Sequence, residues 1–271
     1  MKRRALLRSG ALLVPAALAT SLAPSAAWAL VQPSERYFRK MAKFDDPHSA
    51  DVLAGDDDFR MLQLTLRRIN RVQSTVGYGN FNLLSFDKML KVAKQHTSVE
   101  NFTKVELHFL EKLFYVDASR YGFYGPKVLR NLSDDIDPSK TVYIRGSGQR
   151  IFKGRALERY KSIKKTIGPD LVLTSGVRSV VKQLYLFMNK AERAKGNLSL
   201  ASRSLAPPGY SFHAIGDFDV GKRGLGGANF TDAFSRTDVY HRLVDLGYVQ
   251  MRYPQRNLLG VRFEPWHIRV L

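Results

Sequence analysis

The chain contains no cysteine among its 271 residues, so neither disulfide bonds nor thiolate metal ligands can contribute to its fold. A cysteine nucleophile is excluded for the same reason. The chain is long enough to bury a hydrophobic core, either in one large domain or in two small ones. Any bound metal ion must be held by histidine, aspartate or glutamate side chains, and the sequence offers only six histidines.

Residues 1–29 have the features of an export signal peptide. The segment contains four basic residues and no acidic residue, and an apolar run occupies 11–19. The tripeptide Ala-Trp-Ala that ends at Ala29 fits the small-x-small cleavage rule, which predicts cleavage after this residue. The apolar run is too short and too rich in alanine for a stable membrane span. The pair Arg3-Arg4 resembles a twin-arginine signal, and an ordinary secretory signal is the alternative.

The chain is strongly basic, with 43 lysine and arginine residues against 24 aspartate and glutamate residues. Removal of the signal takes away four of the basic residues and leaves a net charge of +15. Such a charge would enrich an exported protein near the anionic polymers and lipids of a cell envelope. Nucleic-acid binding is the usual alternative, but the sequence has no nucleic-acid-binding motif and carries an export signal. We expect no transmembrane segment in the mature chain.

Residues 30–140 are predicted to form a mainly helical region whose role the sequence does not indicate. Hydrophobic residues recur at helical spacing after a cluster of three aspartates. Ser85 is placed to cap a second helix, and Thr103 with Glu106 forms the capping-box pattern of a third. The turn-rich stretch 131–140 is the predicted domain boundary.

Residues 141–271 alternate between helices and short hydrophobic strands. Helices are predicted over 155–167 and 180–195, and another begins after Thr237 and ends near Gly247. Helices segregated from a small antiparallel sheet indicate an α+β fold. The predicted strands are 141–144, 171–174, 212–220, 249–253 and 261–270.

Three polar clusters follow one another in this second half of the chain. The first is Ser-Gly-Val-Arg-Ser at 175–179, the second spans 211–219 and contains one histidine, and the third is Glu-Pro-Trp-His at 264–267. Two histidines and one carboxylate form a common shell for catalytic zinc, with a fourth position left for water. The second and third clusters offer these side chains, and they therefore predict a zinc site.

The third cluster also supplies a carboxylate that need not bind the metal. Glu264 stands three residues before His267, where it could act as a general base toward water and then as a general acid. In a regular strand the two side chains would lie on opposite faces, so the backbone must be irregular between them. Pro265 supplies this irregularity because it breaks regular strand pairing.

Taken together, the clusters resemble the signature of the zinc D-alanyl-D-alanine carboxypeptidases and dipeptidases, the VanY-like and VanX-like enzymes. That signature reads Ser-Gly-x-Arg, then Ser-x-His-x-x-Gly-x-Ala-x-Asp, then Glu-x-Trp-His. The resemblance covers roughly residues 141–271 and implies the zinc D,D-peptidase or Hedgehog-like fold. It also implies one Zn²⁺ per chain and an exported hydrolase that acts on peptidoglycan peptides in the periplasm or cell envelope.

The resemblance implies roles for four side chains around the reacting bond. Glu264 would be the catalytic acid/base that activates the attacking water. Arg178 would stabilise charge on the scissile carbonyl as the tetrahedral intermediate forms, since a guanidinium stays cationic at any relevant pH. Ser211 would lie near the terminal carboxylate of the substrate, and Gln183 would be a supporting polar contact to it.

The resemblance further implies that His213 and His267 are zinc ligands, but the third ligand departs from the family pattern. The family's aspartate usually stands seven residues after the first histidine, where this chain has valine. Asp219 follows the first histidine by six residues and Asp217 by four. The chain must turn sharply to bring either carboxylate back, and Gly216 is suited to that turn. We expect Asp219 to be the ligand, with Asp217 as the alternative.

The predicted reaction is release of the terminal D-alanine from a D-Ala-D-Ala stem peptide. Alternatives within the same fold are an endopeptidase that cuts cross-links and an L,D-carboxypeptidase. A non-catalytic cell-wall-binding module is the alternative from another class, although such a protein would not need Glu264. A serine D,D-peptidase is excluded because the sequence has neither Ser-x-Asn nor Lys-Thr-Gly.

Overall fold

The structure is a computed structural model that describes residues 35–248 and 250–270. The predicted signal peptide, residues 1–29, lies outside the described part of the chain. None of the helices within that part is long and apolar enough to span a bilayer. The α-helices are α1 (Glu35–Ala42), α2 (Asp56–Val76), α3 (Tyr78–Phe81), α4 (Phe86–Gln95), α5 (Lys104–Tyr115), α6 (Arg155–Ile167), α7 (Val180–Arg193), α8 (Leu198–Ser204) and α9 (Asp238–Asp245). The strands are β1 (Thr141–Ile144), β2 (Gln149–Phe152), β3 (Leu171–Ser175), β4 (Phe218–Lys222) and β5 (His267–Ile268).

Helices α4 and α5 begin where the sequence predicts caps. The Ser85 hydroxyl accepts a hydrogen bond from the backbone N–H of Lys88 at the start of α4. Thr103 and Glu106 form the predicted reciprocal capping box at the start of α5. Each cap satisfies backbone donors that have no partner inside the helix, which fixes where the helix starts.

A hydrophobic core joins helices from both sides of residue 140. The apolar faces of α2, α4 and α5 pack against α7, which follows the first polar cluster directly. Because α7 is buried on this helical layer, its first turn is held in a fixed place beside that cluster. The most buried members of the core include Leu62, Leu66, Ile69, Leu110, Leu184, Phe187 and Met188.

A second core lies under a three-stranded antiparallel sheet with the order β3-β4-β5. Helices α6 and α9 contribute apolar side chains to this core, and β1 and β2 form a separate antiparallel hairpin. In the register of the sheet, Asp219 of β4 pairs with Ser175 of β3 on one side and with His267 of β5 on the other. The sheet therefore brings residues from all three polar clusters to one place.

The mixed helix and antiparallel-sheet fold confirms the predicted α+β class, but several predicted strands are shorter than expected. The prediction of a strand over 212–220 was wrong for its first half, where 212–214 is a single 3₁₀ turn and the strand begins at Phe218. The predicted strand 261–270 is reduced to two residues, and of the predicted strand 249–253 the described residues 250–253 form one bridge, at Met251. Turns at the second and third clusters interrupt the extended backbone.

A buried ion pair ties the segment after α1 to α8. The Arg203 guanidinium donates two hydrogen bonds to the Asp51 carboxylate, at 2.6 and 3.0 Å, and both side chains are 2% exposed. The same guanidinium donates to the backbone carbonyls of Phe44 and Asp46. Burial alone would raise the pKa of Asp51, but hydrogen bonds from Arg203, Asn197 and Lys40 hold it well below its usual range.

The replacement Asp51→Asn should destabilise the protein by about 3–5 kcal/mol, because it leaves the buried guanidinium of Arg203 without a counter-charge. Because the folded-state pKa of Asp51 is depressed, its stabilising effect should be complete above the unfolded pKa of about 4 and should fade as the pH drops below that value. Urea unfolding at pH 7 and at pH 3 measures both effects. A wild-type difference between the two pH values that persists unchanged in the variant would contradict this role.

Candidate metal centre

Three buried ligand atoms converge at the centre of the sheet. The Nε2 atom of His213 lies 3.3 Å from Oδ1 of Asp219, and the Nδ1 atom of His267 lies 3.4 Å from the same oxygen. All three side chains are at most 4% exposed, and their ligand atoms lie within 4.8 Å of one another. Two nitrogens and one oxygen at this spacing match the shell that the sequence predicts.

The separations and the unmet hydrogen bonding of this cluster fit a zinc ion. Ligand bonds of about 2.0–2.1 Å in a tetrahedral shell place neighbouring ligand atoms about 3.3 Å apart. The Asp219 Oδ1 atom is buried and has no hydrogen-bond partner among the described residues. A buried carboxylate oxygen is costly unless a donor or a cation satisfies it, and a metal ion held with the two histidines would do so.

A hydrogen bond on the far side of each imidazole ring determines which ring nitrogen faces the cluster. The Nδ1 atom of His213 lies 2.8 Å from the carbonyl oxygen of Gly176, and the Nε2 atom of His267 lies 3.1 Å from Oδ2 of Asp217. If each of these nitrogens carries the proton, the other nitrogen of each ring is left with a free lone pair for a metal. Asp217 is thus placed behind a histidine, whereas Asp219 is placed with the ligand atoms.

Asp217 is held in that position by its own partners. The Arg252 guanidinium donates to both of its carboxylate oxygens, at 2.9 and 3.2 Å, and the backbone N–H of Val270 donates at 2.9 Å. Burial opposes ionisation, but the hydrogen bonds from His267 and Arg252 lower the pKa of Asp217 to about 2. An ionised Asp217 is a strong acceptor for the His267 N–H and keeps that ring oriented.

The chain turns between the first histidine and Asp219, as the short spacing requires. Gly216 has a φ of +138°, a region that favours glycine. The backbone N–H groups of Gly216 and Asp217 both donate to the carbonyl of Phe212, which closes the turn. The predicted role of Gly216 is confirmed, and the turn compensates for the missing residue of the family pattern.

The third cluster also turns, and this brings Glu264 to the side of the metal ligands. The backbone N–H of His267 donates to the carbonyl of Glu264 at 3.2 Å, which closes a turn through Pro265. The Oε2 atom of Glu264 lies 3.3 Å from Nδ1 of His267, the nitrogen that faces the cluster. The predicted irregularity at Pro265 is confirmed, and the free carboxylate lies next to the metal position.

The two histidines have opposite electrostatic environments. Burial and the nearby charge of Arg178 lower the pKa of His213. Burial would also lower the pKa of His267, but hydrogen bonds to Asp217 and Glu264 raise it to about 9. The carboxylates around His267 therefore stabilise a positive charge at this position.

Arg178 reaches the same centre from the loop between β3 and α7. Its guanidinium donates to Oε1 of Gln183 and to Oγ of Ser175, both at 3.1 Å, and lies 3.8 Å from Oδ2 of Asp219. Burial lowers its pKa, although an arginine side chain stays protonated in proteins. The amide nitrogen of Gln183 donates to the carbonyl of Ala206. Gln183 thus holds Arg178 in place from behind.

The three ligand side chains, Glu264 and Arg178 border one cavity of about 380 Å³, whereas Gln183, Asp217 and Arg252 do not line it. Ser211 lines this cavity next to the first histidine, as predicted for a substrate contact. The cavity is also lined by polar residues that the sequence did not single out. Burial raises the pKa of one of them, Tyr253, so its hydroxyl stays protonated. The others include Asn82, Gln149, Lys182, Ser204 and Arg262.

The glycine of the first cluster is required by a close backbone contact. A Cβ atom added to Gly176 would lie 1.9 Å from the carbonyl oxygen of Arg150. That carbonyl accepts a hydrogen bond from the backbone N–H of Val177 at 2.7 Å, so it cannot move without loss. The carbonyl of Gly176 itself accepts from the first histidine, so a shift of this loop would also disturb the metal ligand.

The replacement Gly176→Ala should lower the free energy of unfolding by about 1–3 kcal/mol, as expected for overpacking against rigid backbone. The matched control is Gly79→Ala in α3, where an added Cβ meets nothing within 4 Å. This exposed helical position should gain a few tenths of a kcal/mol. Urea unfolding of both variants measures the difference, and equal stability of the two would contradict the contact.

The sequence was compared with models of known protein families and with proteins of known function. Residues 153–271 match the model of the VanY family, described as D-alanyl-D-alanine carboxypeptidase. No protein with curated annotation matches the chain.

Three solved structures show partial similarity. The structure of the LdcB LD-carboxypeptidase aligns with 25% identity over 50% of this chain and 69% of its own, with a TM-score of 0.41. A mutant of the vancomycin-resistance D,D-pentapeptidase VanY, in complex with Zn(II), aligns with 26% identity over 48% of this chain and 77% of its own, with a TM-score of 0.38. VanYB in complex with D-alanine-D-alanine aligns with 26% identity over 48% of this chain and 76% of its own, with a TM-score of 0.38.

The family match begins directly after β2, extends to residue 271 and includes all three polar clusters. The buried pair of histidines with Asp219 provides the zinc shell that such an enzyme requires. Residues 153–271 are therefore similar to the VanY D-alanyl-D-alanine carboxypeptidase family, and this similarity, together with the buried His/Asp cluster, indicates a zinc-dependent carboxypeptidase-like enzyme.

Proposed function

We propose that the protein hydrolyses peptidoglycan stem peptides and releases the terminal D-alanine from D-Ala-D-Ala. The observation that carries this proposal is the position of Glu264, whose Oε2 lies 3.3 Å from the ligand atom of His267, in the cavity that Arg178 also lines. A zinc-binding protein without catalysis would have no need for a free carboxylate at that place. In this proposal His213, Asp219 and His267 are the metal ligands.

Zinc, when bound, supplies a Lewis acid that polarises the scissile carbonyl and lowers the pKa of water. Glu264 accepts a proton from the attacking water and then donates it to the leaving amine, so the amide bond is replaced by a carboxylate and a free amino group. Arg178 stabilises the negative charge that develops on the carbonyl oxygen, because Gln183 and Ser175 hold its guanidinium fixed before the reaction.

Two further parts of the proposal concern the substrate end and the location. Ser211 lines the cavity and has a hydroxyl that can donate to the terminal carboxylate. Residues 1–29 direct export to the periplasm or cell envelope, where the strongly basic mature chain stays near anionic envelope polymers. The peptidase domain spans 141–271, and the helical region 30–140 precedes it.

The test uses purified mature protein and a muropeptide pentapeptide that ends in D-Ala-D-Ala. We expect one zinc per chain and release of D-alanine that stops after treatment with a chelator and returns when zinc is added. A cross-linked muropeptide and a tetrapeptide serve as parallel substrates for the endopeptidase and L,D-carboxypeptidase alternatives. If the zinc-loaded, folded protein releases no product from any of these substrates, the proposal is wrong.

A further inference from the structure

Lys182 is a cation in the cavity wall for which the predicted reaction gives no role. It stands in the first turn of α7, four residues after Arg178, and it lines the cavity together with that residue. Its side chain is half-buried, and no carboxylate of residues 35–248 or 250–270 lies within ion-pair distance of it. Burial, together with the charge of Arg178, lowers the pKa of Lys182 to about 8. An anion in the cavity would relieve this unfavourable environment.

Two aromatic rings hold the Lys182 ammonium group in position. Its Nζ lies 5.4 Å from the ring centre of Phe81 and 5.1 Å from that of Tyr185. The two rings pack edge to face, with their centres 5.7 Å apart. Cation–π contacts at these distances fix the direction of the ammonium group without neutralising its charge. The group therefore remains available for an anionic partner.

A second donor without an acceptor lies in the same wall. The side-chain amide of Asn82 donates to Oε1 of Gln149 at 3.2 Å, which leaves the amide nitrogen of Gln149 with no acceptor in the described part of the chain. Asn82 is itself fixed, because its backbone carbonyl accepts from the N–H of Ser179, the residue that caps α7. Asn82, Gln149 and Lys182 all line the cavity.

This part of the cavity wall thus has more hydrogen-bond donors than acceptors, and it carries a net positive charge. Arg178 adds its charge nearby, and the N-terminal end of α7 carries a partial positive charge. Glu264 and Asp219 are the acids of the cavity, and they are committed to proton transfer and to the metal in the proposed function. A carboxylate is the anion that a stem peptide carries, either at its terminus or on an acidic side chain.

We propose that Lys182 and the Gln149 amide form a subsite that binds a carboxylate of the substrate peptide beside the reacting centre. Phe81 and Asn82, from the helical region outside the family match, hold the two donors in place. The subsite rests on the proposed peptidase function and adds to it a chain-specific selectivity for anionic peptides. It also gives the helical region a role as part of the substrate-binding wall.

The test is a double-mutant cycle on peptide affinity. Zinc-loaded Glu264→Gln protein binds the peptide without cleaving it, and the variant Lys182→Met is added in this background. Three synthetic pentapeptides are titrated by calorimetry: one with a terminal carboxylate and an acidic third residue, one with an amidated terminus, and one with a neutral third residue. The control is Lys91→Met, which removes an exposed lysine of α4 outside the cavity wall.

We expect Lys182→Met to weaken binding of the parent peptide by about 10- to 100-fold, as for a hydrogen bond to a charged group. The loss should disappear for the peptide that lacks the recognised carboxylate, and this identifies the terminal or the side-chain group as the ligand. Lys182→Arg should retain most of the affinity, and Lys91→Met should have no effect.

Equal affinity of the Lys182→Met and parent proteins, or the same loss for all three peptides, would overturn the subsite. D-alanine release by the wild-type protein is measured on the same parent peptide. If D-alanine is released but the effect of Lys182→Met does not depend on a peptide carboxylate, the subsite is rejected and the proposed function stands. If no D-alanine is released, the proposed function is rejected.

Discussion

Replacing Glu264 with glutamine should reduce D-alanine release by about 10²- to 10⁴-fold, the usual contribution of general acid–base catalysis. Glutamine keeps the size of the side chain but can neither accept a proton from water nor return one to the leaving amine. The zinc content should remain one per chain, because the predicted ligands are His213, Asp219 and His267. Steady-state kinetics on the muropeptide pentapeptide, with zinc analysis of the same samples, measures both quantities.

The control for this experiment is Glu111→Gln, which removes one negative charge from the exposed face of α5. It should leave both activity and zinc content unchanged. Full activity in the Glu264→Gln protein would contradict the proposed role of this residue. Loss of zinc together with activity would show instead that Glu264 acts through the metal shell.

Replacement of each of the two aspartates of the second cluster should have very different effects on zinc affinity. Asp219→Asn removes the carboxylate whose Oδ1 lies 3.3 and 3.4 Å from the two histidine ligand atoms, so we expect loss of stoichiometric zinc. Asp217→Asn removes the charged acceptor behind His267 and the counter-charge of Arg252, but it removes no ligand atom. Such outer partners typically change metal affinity by about 10- to 100-fold, so this variant should still bind zinc at saturating concentration.

Zinc affinity is measured by competition with a chromogenic chelator at pH 7.5, and circular dichroism of each variant confirms that it is folded. The opposite order, with weak binding in Asp217→Asn and near-normal binding in Asp219→Asn, would contradict the assignment of the ligand. It would also show that the shortened spacing after His213 is accommodated in another way.

Six helices could be predicted closely because local chemistry determines their ends, whereas α1, α3 and α8 were not predicted individually. Ser85, Thr103 and Thr237 each accept a hydrogen bond from the backbone of the first helical turn, as their side chains predict. The strands predicted over 141–144 and 171–174 match β1 and β3 closely, but those predicted over 212–220 and 261–270 were too long. Their hydrophobic residues are consistent with extended backbone, but the turn at Gly216 and the turn through Pro265 depend on long-range packing around the ligands.

The centre of the site could be predicted because its residue types are rare and stand in ordered clusters. The wall opposite the ligands could not be predicted in this way. Asn82 and Gln149 are 67 positions apart, and they line one cavity with Lys182 only in the folded chain. The one local signal for this part of the site was Lys182, a cation in the first turn of the helix that follows the Arg178 loop.

The most direct test of the zinc site is a crystal structure of the zinc-loaded protein with anomalous diffraction recorded on both sides of the zinc absorption edge. We expect a single peak about 2.0–2.2 Å from Nε2 of His213, Oδ1 of Asp219 and Nδ1 of His267, with Glu264 beside it. A peak coordinated by Asp217 in place of Asp219, or no peak in a folded protein soaked in zinc, would contradict it.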